Sequence, residues 1–401
     1  MEQGPPAMAG FSLGGILWKL AKPMEVGRIS LQNWRNFKEV NVDLQRRVYI
    51  TGPNASGKSN FLDVFRFLQE IAQPGGGLQT AVAKRQGISH IRCLSARRYP
   101  DVGIHVTIKE SASSVWDYSI EINQDNNRRA MLKSEHVLHN SRELLSRPDR
   151  DDKDDPDRLT QTHLEQVNSN KRFRTIADFF GSIRYLHVVP QLIREPDRSV
   201  GKVADPYGGD FLEQLARTPQ KTLDSRLRRI TEALRVAVPQ LRELKLDRDQ
   251  KGTPHLFGLY EHWRPKAGWQ SEDQFSDGTL RLLGILWAAL DGSGPLLLEE
   301  PELSLNPAVV RHIPQMFARL TRRTGRQLLV SSHSSDLLAD PGIAPDETLL
   351  LTPSPDGTKV TRAKDDEQIV ALLDGGATMA EAVLPIVSPP GADRIAAFAD
   401  Q

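Results

Sequence analysis

The chain has 401 residues, 39% hydrophobic and 26% charged, which permits a packed core of two or three units at about 150 residues each. Lys+Arg total 52 and Asp+Glu 51, so the net charge of +1 gives no whole-protein attraction to a polyanion, and the single cysteine, Cys93, excludes a disulfide scaffold. The longest strongly apolar stretch, Leu282 to Leu290, falls far short of the ~20 residues that cross a bilayer, and no apolar core of signal-peptide length follows a basic N-terminus. A soluble cytoplasmic protein with no membrane partner is expected.

Residues 1–23 carry Gly-Pro-Pro and Gly-Gly without a period and read as an extension, pinned by Phe11, Leu17 and Trp18. Strand signals follow at Val26–Leu31, Val40–Leu44 and Val48–Ile50. Ser59 to Ala72 has helical apolar spacing and ends at Pro74 and Gly75 to Gly77. Three β-type runs, Val102–Ile108, Val115–Ile122 and Met131–Leu138, are separated by polar turns and predict an antiparallel meander. Arg142 to Arg158 is a dense charge run that reads as a solvated loop.

Phe173–Phe180 is predicted helical and Ile183–Val189 a strand ending at Pro190. Phe211 to Val238 is helical with a break near Pro219, and Leu241–Leu246 pairs with His255–Tyr260. A β/α rhythm then sets in: helix Thr279–Leu290, strand Leu296–Leu298, helix Val309–Leu320, strand Gln327–Ser331 and strand Glu347–Leu351. Such alternation implies a parallel sheet covered by helices.

Gly52-Pro53-Asn54-Ala55-Ser56-Gly57-Lys58-Ser59 fits G-x-x-x-x-G-K-[ST] between a strand and a helix. The glycines let backbone N–H groups face phosphate oxygens, and the helix N-terminus adds partial positive charge. Lys58 then reaches the β/γ-phosphates and Ser59 holds Mg²⁺. The apolar run Pro295–Leu298 leads into Glu299 and Glu300. Glu299 is placed to hold Mg²⁺, and Glu300 to polarise the attacking water. A second apolar run, Leu328–Val330, leads to Ser331-Ser332-His333. Adjacent parallel strands end at one edge, where His333 can touch the γ-phosphate. Ser276 or Asp277 suits an N-cap before Leu280, and the same helix start offers a second phosphate-binding N-terminus.

This order resembles the ABC-type ATPase heads of the RecF/SMC group. It is most similar to the AAA-like ATPases of the OLD (overcoming lysogenization defect) family, without their TOPRIM nuclease domain. The pieces that carry the resemblance are Asn33-Trp34-Arg35-Asn36-Phe37, Gly52 to Asn60, Ser276 to Arg281, Glu299-Glu300-Pro301-Glu302 and Ser332-His333-Ser334. The resemblance implies an α/β P-loop NTPase: an ABC-type head with a mixed or parallel core sheet, an antiparallel β subdomain and a helical insertion. It implies an extension at 1–23, a P-loop lobe at 24–140, an inserted region at 141–270 and a third lobe at 271–401.

By the same resemblance, Gly52, Pro53, Asn54, Ala55, Ser56, Gly57, Lys58, Ser59 and Asn60 bind ATP. Ser276-Asp277-Gly278 is the signature loop that contacts ATP on a second protomer. Leu303 to Pro307 is the D-loop, and His333 is the switch histidine. Gln191 is either the glutamine that senses Mg²⁺ and nucleotide or a surface turn residue. Arg35 is either a nucleotide contact or a solvated arginine. Glu299 stands where the family usually has Asp, Asp277 where transporters have glycine, and Asn306 where relatives often have histidine. The segment after Gln191 is too short for long coiled-coil arms.

Lys84, Arg85, Arg92, Arg97 and Arg98 form a local basic region that reads as a charged solvated face, with a phosphate-backbone site as the alternative. The leading expectation is an ATP-hydrolysing, dimerising switch acting on DNA or governing a separately encoded effector such as a nuclease, in antiphage defence. A RecF-like repair ATPase is the alternative, and an ABC transporter subunit ranks third. Asp365-Asp366-Glu367 reads as the charged start of a helix, so no nuclease centre is expected in this chain.

Overall fold

The computed structural model describes residues 24–95, 100–196, 205–261, 268–388, 391 and 394. The expected extension, with Phe11, Leu17 and Trp18, and the basic residues Arg97 and Arg98 lie outside the described residues.

The first half builds an antiparallel layer around one long helix. Strands β1 (Glu25–Trp34), β2 (Phe37–Asp43) and β3 (Arg47–Thr51) lead into α1 (Lys58–Ala72). Two short helices, α2 (Leu78–Ala83) and α3 (Ile88–Ile91), precede the meander β4 (Val102–Lys109), β5 (Val115–Gln124), β6 (Ala130–His139) and β7 (Arg142–Arg147). All but β3 join one six-stranded sheet in the order β2-β1-β4-β5-β6-β7.

The charge run after Asn140 corrects the sequence reading. Arg142–Arg147 is the edge strand β7, and α4 (Arg150–Asp154) follows it. The guanidinium of Arg147 is fully buried between Glu135 and Asp152, with contacts of 3.3 and 2.8 Å. It also donates to the carbonyls of Gln161 and Arg158 at 2.8 and 3.1 Å. A buried cation persists only when it is paired and hydrogen-bonded, and here a charge-rich segment folds inward to supply the partners. Arg85, expected in a basic surface, is likewise buried against Asp63 and Glu70 at 2.7 and 2.5 Å.

Next come α5 (Arg174–Gly181), β8 (Arg184–Leu186), α6 (Pro190–Ile193), α7 (Phe211–Arg217) and α8 (Gln220–Ala237). The strand expected over Ile183–Val189 is only three residues long: beyond Leu186 the N–H groups of His187 and Val189 bond the carbonyls of Pro206 and Tyr207, and Pro190 then opens a helical turn. Strands β9 (Leu241–Arg248), β10 (Pro254–Tyr260) and β11 (Trp269–Ser271) form a small antiparallel sheet.

The last third holds α9 (Asp277–Leu290), β12 (Leu296–Glu299), α10 (Pro307–Val310), α11 (Ile313–Thr324), β13 (Leu328–Ser331), α12 (Ser335–Leu338), β14 (Thr348–Ser354), β15 (Gly357–Arg362), α13 (Glu367–Asp374) and α14 (Met379–Val387). The helix expected over Val309–Leu320 is split, because Pro314 sits in the first turn of α11 and fits only a helix start. The second large sheet has the order β15-β14-β3-β13-β12-β8, parallel throughout except for β15.

Both faces of this sheet are buried, which explains its continuous apolar runs. Val48, Ile50, Leu297, Leu329, Leu349 and Leu351 face α1 and the antiparallel sheet. Tyr49, Leu296, Leu298, Leu328, Val330 and Leu350 face the helical layer that includes α11, α12 and α14. Gln327 ties the two sheets together. Its amide accepts from Val26 N–H at 2.8 Å and donates to Val26 and Gln45 carbonyls at 2.8 and 2.9 Å. Among the described residues no helix is long and apolar enough to cross a membrane.

Candidate functional site

Three central strands converge on one edge. Glu299 is level with Ser331 across β12 and β13, and Ser331 is level with Ile50 across β13 and β3. The P-loop, the paired glutamates and His333 therefore leave adjacent strand ends. This is the switch-edge position where open α/β sheets hold ligands.

The loop from Gly52 to Gly57 curls over the start of α1. Ala55 and Gly57 have φ of 63° and 98°, a nest-like backbone that turns successive N–H groups inward. Gly57 is required twice over. Its φ disfavours an L side chain, and a Cβ there would meet the Asn36 amide at 2.2 Å. The N-terminus of α1 has no side-chain cap, and Ser56 Oγ is buried without a hydrogen-bond partner. Asn54, Ala55 and Ser59 remain exposed. Unsatisfied donors beside an open mouth suit a polyanion.

Lys58 is buried, and its ammonium donates to the carbonyls of Gly52 and Pro53 at 2.9 and 3.1 Å. Burial lowers its pKa, opposed by the charges of Glu300, Glu299 and Glu302. Phosphates entering the loop would supply negative charge where the lysine now has only carbonyl oxygens. Ser59 Oγ donates to Glu299 Oε1, and Tyr185 on β8 donates to Glu299 Oε2. Burial, followed by the charge of Glu299, raises the Tyr185 phenol pKa. A serine hydroxyl and a carboxylate already in contact fit the donor set of a Mg²⁺ held beside phosphates.

Glu300 has φ of 43°, unusual for a residue with a side chain. Its N–H bonds the Ser331 carbonyl at 3.0 Å, and its Oε1 lies 3.0 Å from His333 Nδ1. The left-handed turn thus separates the two glutamates, one toward Ser59 and the other toward His333. Glu302 is buried; its Oε1 accepts from Ser332 Oγ at 2.5 Å, while its Oε2 has no partner. Burial raises its pKa, an effect that Ser332 and His333 oppose. Arg281 on α9 is also buried, with Nε and Nη1 unpartnered, and burial lowers its pKa against the pull of Asp277, Glu302 and Glu300. These groups link the start of α9 electrostatically to the loop beyond β12.

Ser276 caps α9 by accepting from Thr279 N–H at 3.2 Å, and its residue stays exposed. Gly278 packs so closely on the following loop that a Cβ would meet the Ser304 carbonyl at 2.4 Å. Asp277 pairs with Arg194 at 2.6 Å, and Arg194 also donates to the Phe275 carbonyl at 2.6 Å. The added negative charge at position 277 is thereby matched from the segment just after Gln191. Among the described residues no hydrogen bond joins Ser276–Gly278 to Gly52–Asn60.

Two expected site residues lie apart from these contacts. Gln191 is exposed on the short helix α6. Arg35 turns its guanidinium to Asp63 at 3.1 Å and to the His90 carbonyl at 3.4 Å. Its neighbour Asn36 touches the P-loop instead. Asn36 donates to the Ser56 carbonyl at 2.8 Å and to Thr358 Oγ1 at 2.7 Å, and accepts from Asn60 at 2.8 Å.

Tyr185, Arg194 and Asn36 are the residues that sequence reasoning passed over as individuals. The one available signal was for Tyr185, an aromatic in a strand that had to lie beside the glutamates. For the other two, the partners come from distant segments.

Among curated proteins no sequence matches this chain. The Smc head bound to the C-winged helix domain of ScpA is similar at a TM-score of 0.53 and 12% identity, over 84% of this chain and 97% of that one. The Thermotoga maritima SMC head domain gives 0.44 and 10%, over 84% and 98%. At 12% identity the first similarity shows the fold alone, that of a P-loop NTPase with the ABC-type ATPase-head arrangement. A family model described as "AAA domain, putative AbiEii toxin, Type IV TA system" matches residues 48–340, from the strand before the P-loop to beyond His333. The chain belongs to this AAA-domain family.

Proposed function

We propose that the protein is an OLD-like ATPase that hydrolyses ATP in a site shared by two protomers and uses that cycle to govern a nucleic-acid-targeting effector in antiphage defence. One observation carries the reading: Lys58, Ser59, Glu299, Glu300 and His333 meet at one edge of the parallel strands β3, β13 and β12. Bound Mg²⁺–ATP would supply the anhydride to be cleaved and a cation that neutralises its charge. Lys58 would bind the phosphates, and Ser59 with Glu299 would hold the cation. Glu300, at φ 43°, keeps a carboxylate oxygen free of Ser59 and next to His333 Nδ1. It is the proton acceptor for an attacking water, with His333 orienting it.

The signature loop supports a shared site. Ser276 is exposed at an N-terminus with no bond to its own P-loop, so a partner's nucleotide is a fitting target for it. The printed title of the Smc head records a separate protein domain docked on that head. The family description names a toxin–antitoxin setting. Both favour control of a second protein over transport.

Light scattering of Glu300→Gln with and without ATP tests the reading. Association on ATP addition is expected, and Ser276→Arg should abolish it. If Lys58→Ala retains wild-type turnover, or if Glu300→Gln ignores ATP while Ser276→Arg stays fully active, the reading fails.

A further inference from the structure

The imidazole of His333 does little to hold itself in place. Its side chain is 48% exposed, and its one partner among the described residues is Glu300 Oε1, 3.0 Å from Nδ1. The backbone on either side must therefore aim it. Ser332, just before it, is buried, and its N–H donates to the Ile50 carbonyl of β3 at 3.0 Å. Ser334, just after it, donates its N–H to Ser332 Oγ at 3.0 Å, and its own Oγ caps α12 by accepting from Leu337 N–H at 3.3 Å. A side-chain-to-backbone bridge from Ser332 to Ser334 thus spans His333.

The Ser332 hydroxyl keeps that orientation because Glu302 takes its proton. Glu302 Oε1 accepts from Ser332 Oγ at 2.5 Å, and both residues are buried. With the proton committed, a lone pair of Oγ is left for the Ser334 N–H. Packing does not account for this glutamate. It is 8% exposed, and its Oε2 has no hydrogen-bond partner. Among the described residues no cation lies within ion-pair distance of it, and Arg281 attracts it only from further away. A buried carboxylate held by a single side-chain hydrogen bond costs the fold more than that bond returns.

We infer that Glu302 is a positioning residue for the hydrolysis proposed above: through Ser332 it fixes the turn that sets His333 against Glu300. The inference rests on the roles given there to Glu300 and His333. Glu302 acts through the Ser332 hydroxyl, and among the described residues its side chain makes no hydrogen bond to Lys58, Ser59, Glu299, Glu300 or His333. Its charge is nevertheless felt at the P-loop, where with Glu300 and Glu299 it opposes the effect of burial on Lys58. Removing that charge leaves the phosphate site more positive, so ATP should bind at least as tightly while the chemical step slows. A residue that only fills the core would weaken binding and chemistry together.

Single-turnover ATP hydrolysis and ATP titration of Glu302→Ala, His333→Ala and the double variant provide the test. Glu302→Ala should slow hydrolysis at least about tenfold, the scale of misplacing a reacting group by a fraction of an ångström, with a Kd for ATP no weaker than wild type. Glu302→Gln, whose amide oxygen can still accept from Ser332, should recover most of the rate, and it serves if the alanine variant fails to fold. In the His333→Ala background, Glu302→Ala should slow the reaction no further, because the group it positions is gone. Additive losses would overturn the inference, as would a Gln variant as slow as alanine or weakened ATP binding in parallel with the rate. The two readings fail separately. If His333→Ala hydrolyses ATP at the wild-type rate, the role given to His333 fails and takes this inference with it. A slow His333→Ala beside a fully active Glu302→Ala overturns the positioning role alone.

Discussion

Replacing Asn36 with alanine removes three side-chain hydrogen bonds at once: to the Ser56 carbonyl, to Thr358 and from Asn60. At about 1 kcal/mol net for each bond, the ceiling is about 3 kcal/mol. Asn36 is half-buried, so water replaces part of this and about 2 kcal/mol is expected. If all of that loss fell on the nucleotide-binding conformation, affinity would drop about thirtyfold, since 1.4 kcal/mol is tenfold. Asn36→Asp keeps the acceptor for Asn60 but removes both donors and sets a carboxylate against the Ser56 carbonyl, so it should be no milder than alanine. Gly57→Ala supplies the control, because its Cβ strikes the Asn36 amide at 2.2 Å. Its cost should shrink in the Asn36→Ala background but not vanish, since the φ of 98° remains. Denaturant unfolding and ATP titration of the four proteins form a double-mutant cycle. Wild-type stability and affinity in Asn36→Ala, or strictly additive costs, would refute the idea that Asn36 holds the P-loop.

Tyr185→Phe removes the phenol donor from Glu299 while leaving Ser59 in place. The Mg²⁺ concentration for half-maximal ATP turnover should rise about tenfold, as for lost outer-shell partners of metal ligands; an unchanged Mg²⁺ curve would count against Glu299 as the metal-side carboxylate. Arg194→Ala removes the ion-pair partner of Asp277 at the start of α9. It should weaken ATP-driven association of Glu300→Gln several-fold while fold stability changes by no more than about 1 kcal/mol, the usual range for a partly exposed pair; equal association in both backgrounds would show the pair to be incidental. Burial acts to raise the Asp152 pKa, but the Arg147 guanidinium outweighs it and holds the carboxyl at about 2 against 3.8. That lowered value stabilises the fold by about 2 kcal/mol above pH 3.8 and the gain is lost as the pH falls from 3.8 toward 2. Burial shifts Glu135 the other way, so its cost is relieved on acidification. Asp152→Asn should flatten the acid limb of the stability–pH curve between about pH 4 and 2; an unchanged limb would place acid sensitivity elsewhere.

What could be read from residues alone was whatever is contiguous or ends an apolar run. The P-loop is eight consecutive residues, and Glu299, Glu300 and His333 each follow a stretch whose two buried faces make it an unmistakable inner strand. The meander was plain for a similar reason: alternation in β4 to β6 has period two, and the turns between are polar. The misreadings share a different cause. Arg147 and Arg85 look like surface charge because the pattern around them gives no sign of burial: Glu135 and Asp63 close on them from 12 and 22 residues away, and Asp152, five residues from Arg147, reads as part of the same charge run. Asn36 meets Thr358 across a separation of 322 residues, a pairing that only the juxtaposition of β2 and β15 creates. Local pattern fixes which residues form an element; it carries no record of which distant polar group an element will meet.

The backbone of Glu300 has a consequence for how such a chain changes over time. A side chain at φ 43° is held in a conformation that glycine or asparagine would adopt with less strain. Glu300→Gly would therefore relax this turn and, by that effect alone, favour the folded state. It would also delete the carboxylate beside His333. With Glu300 as the proton acceptor proposed above, drift toward a sturdier molecule would lead away from a working one at this position.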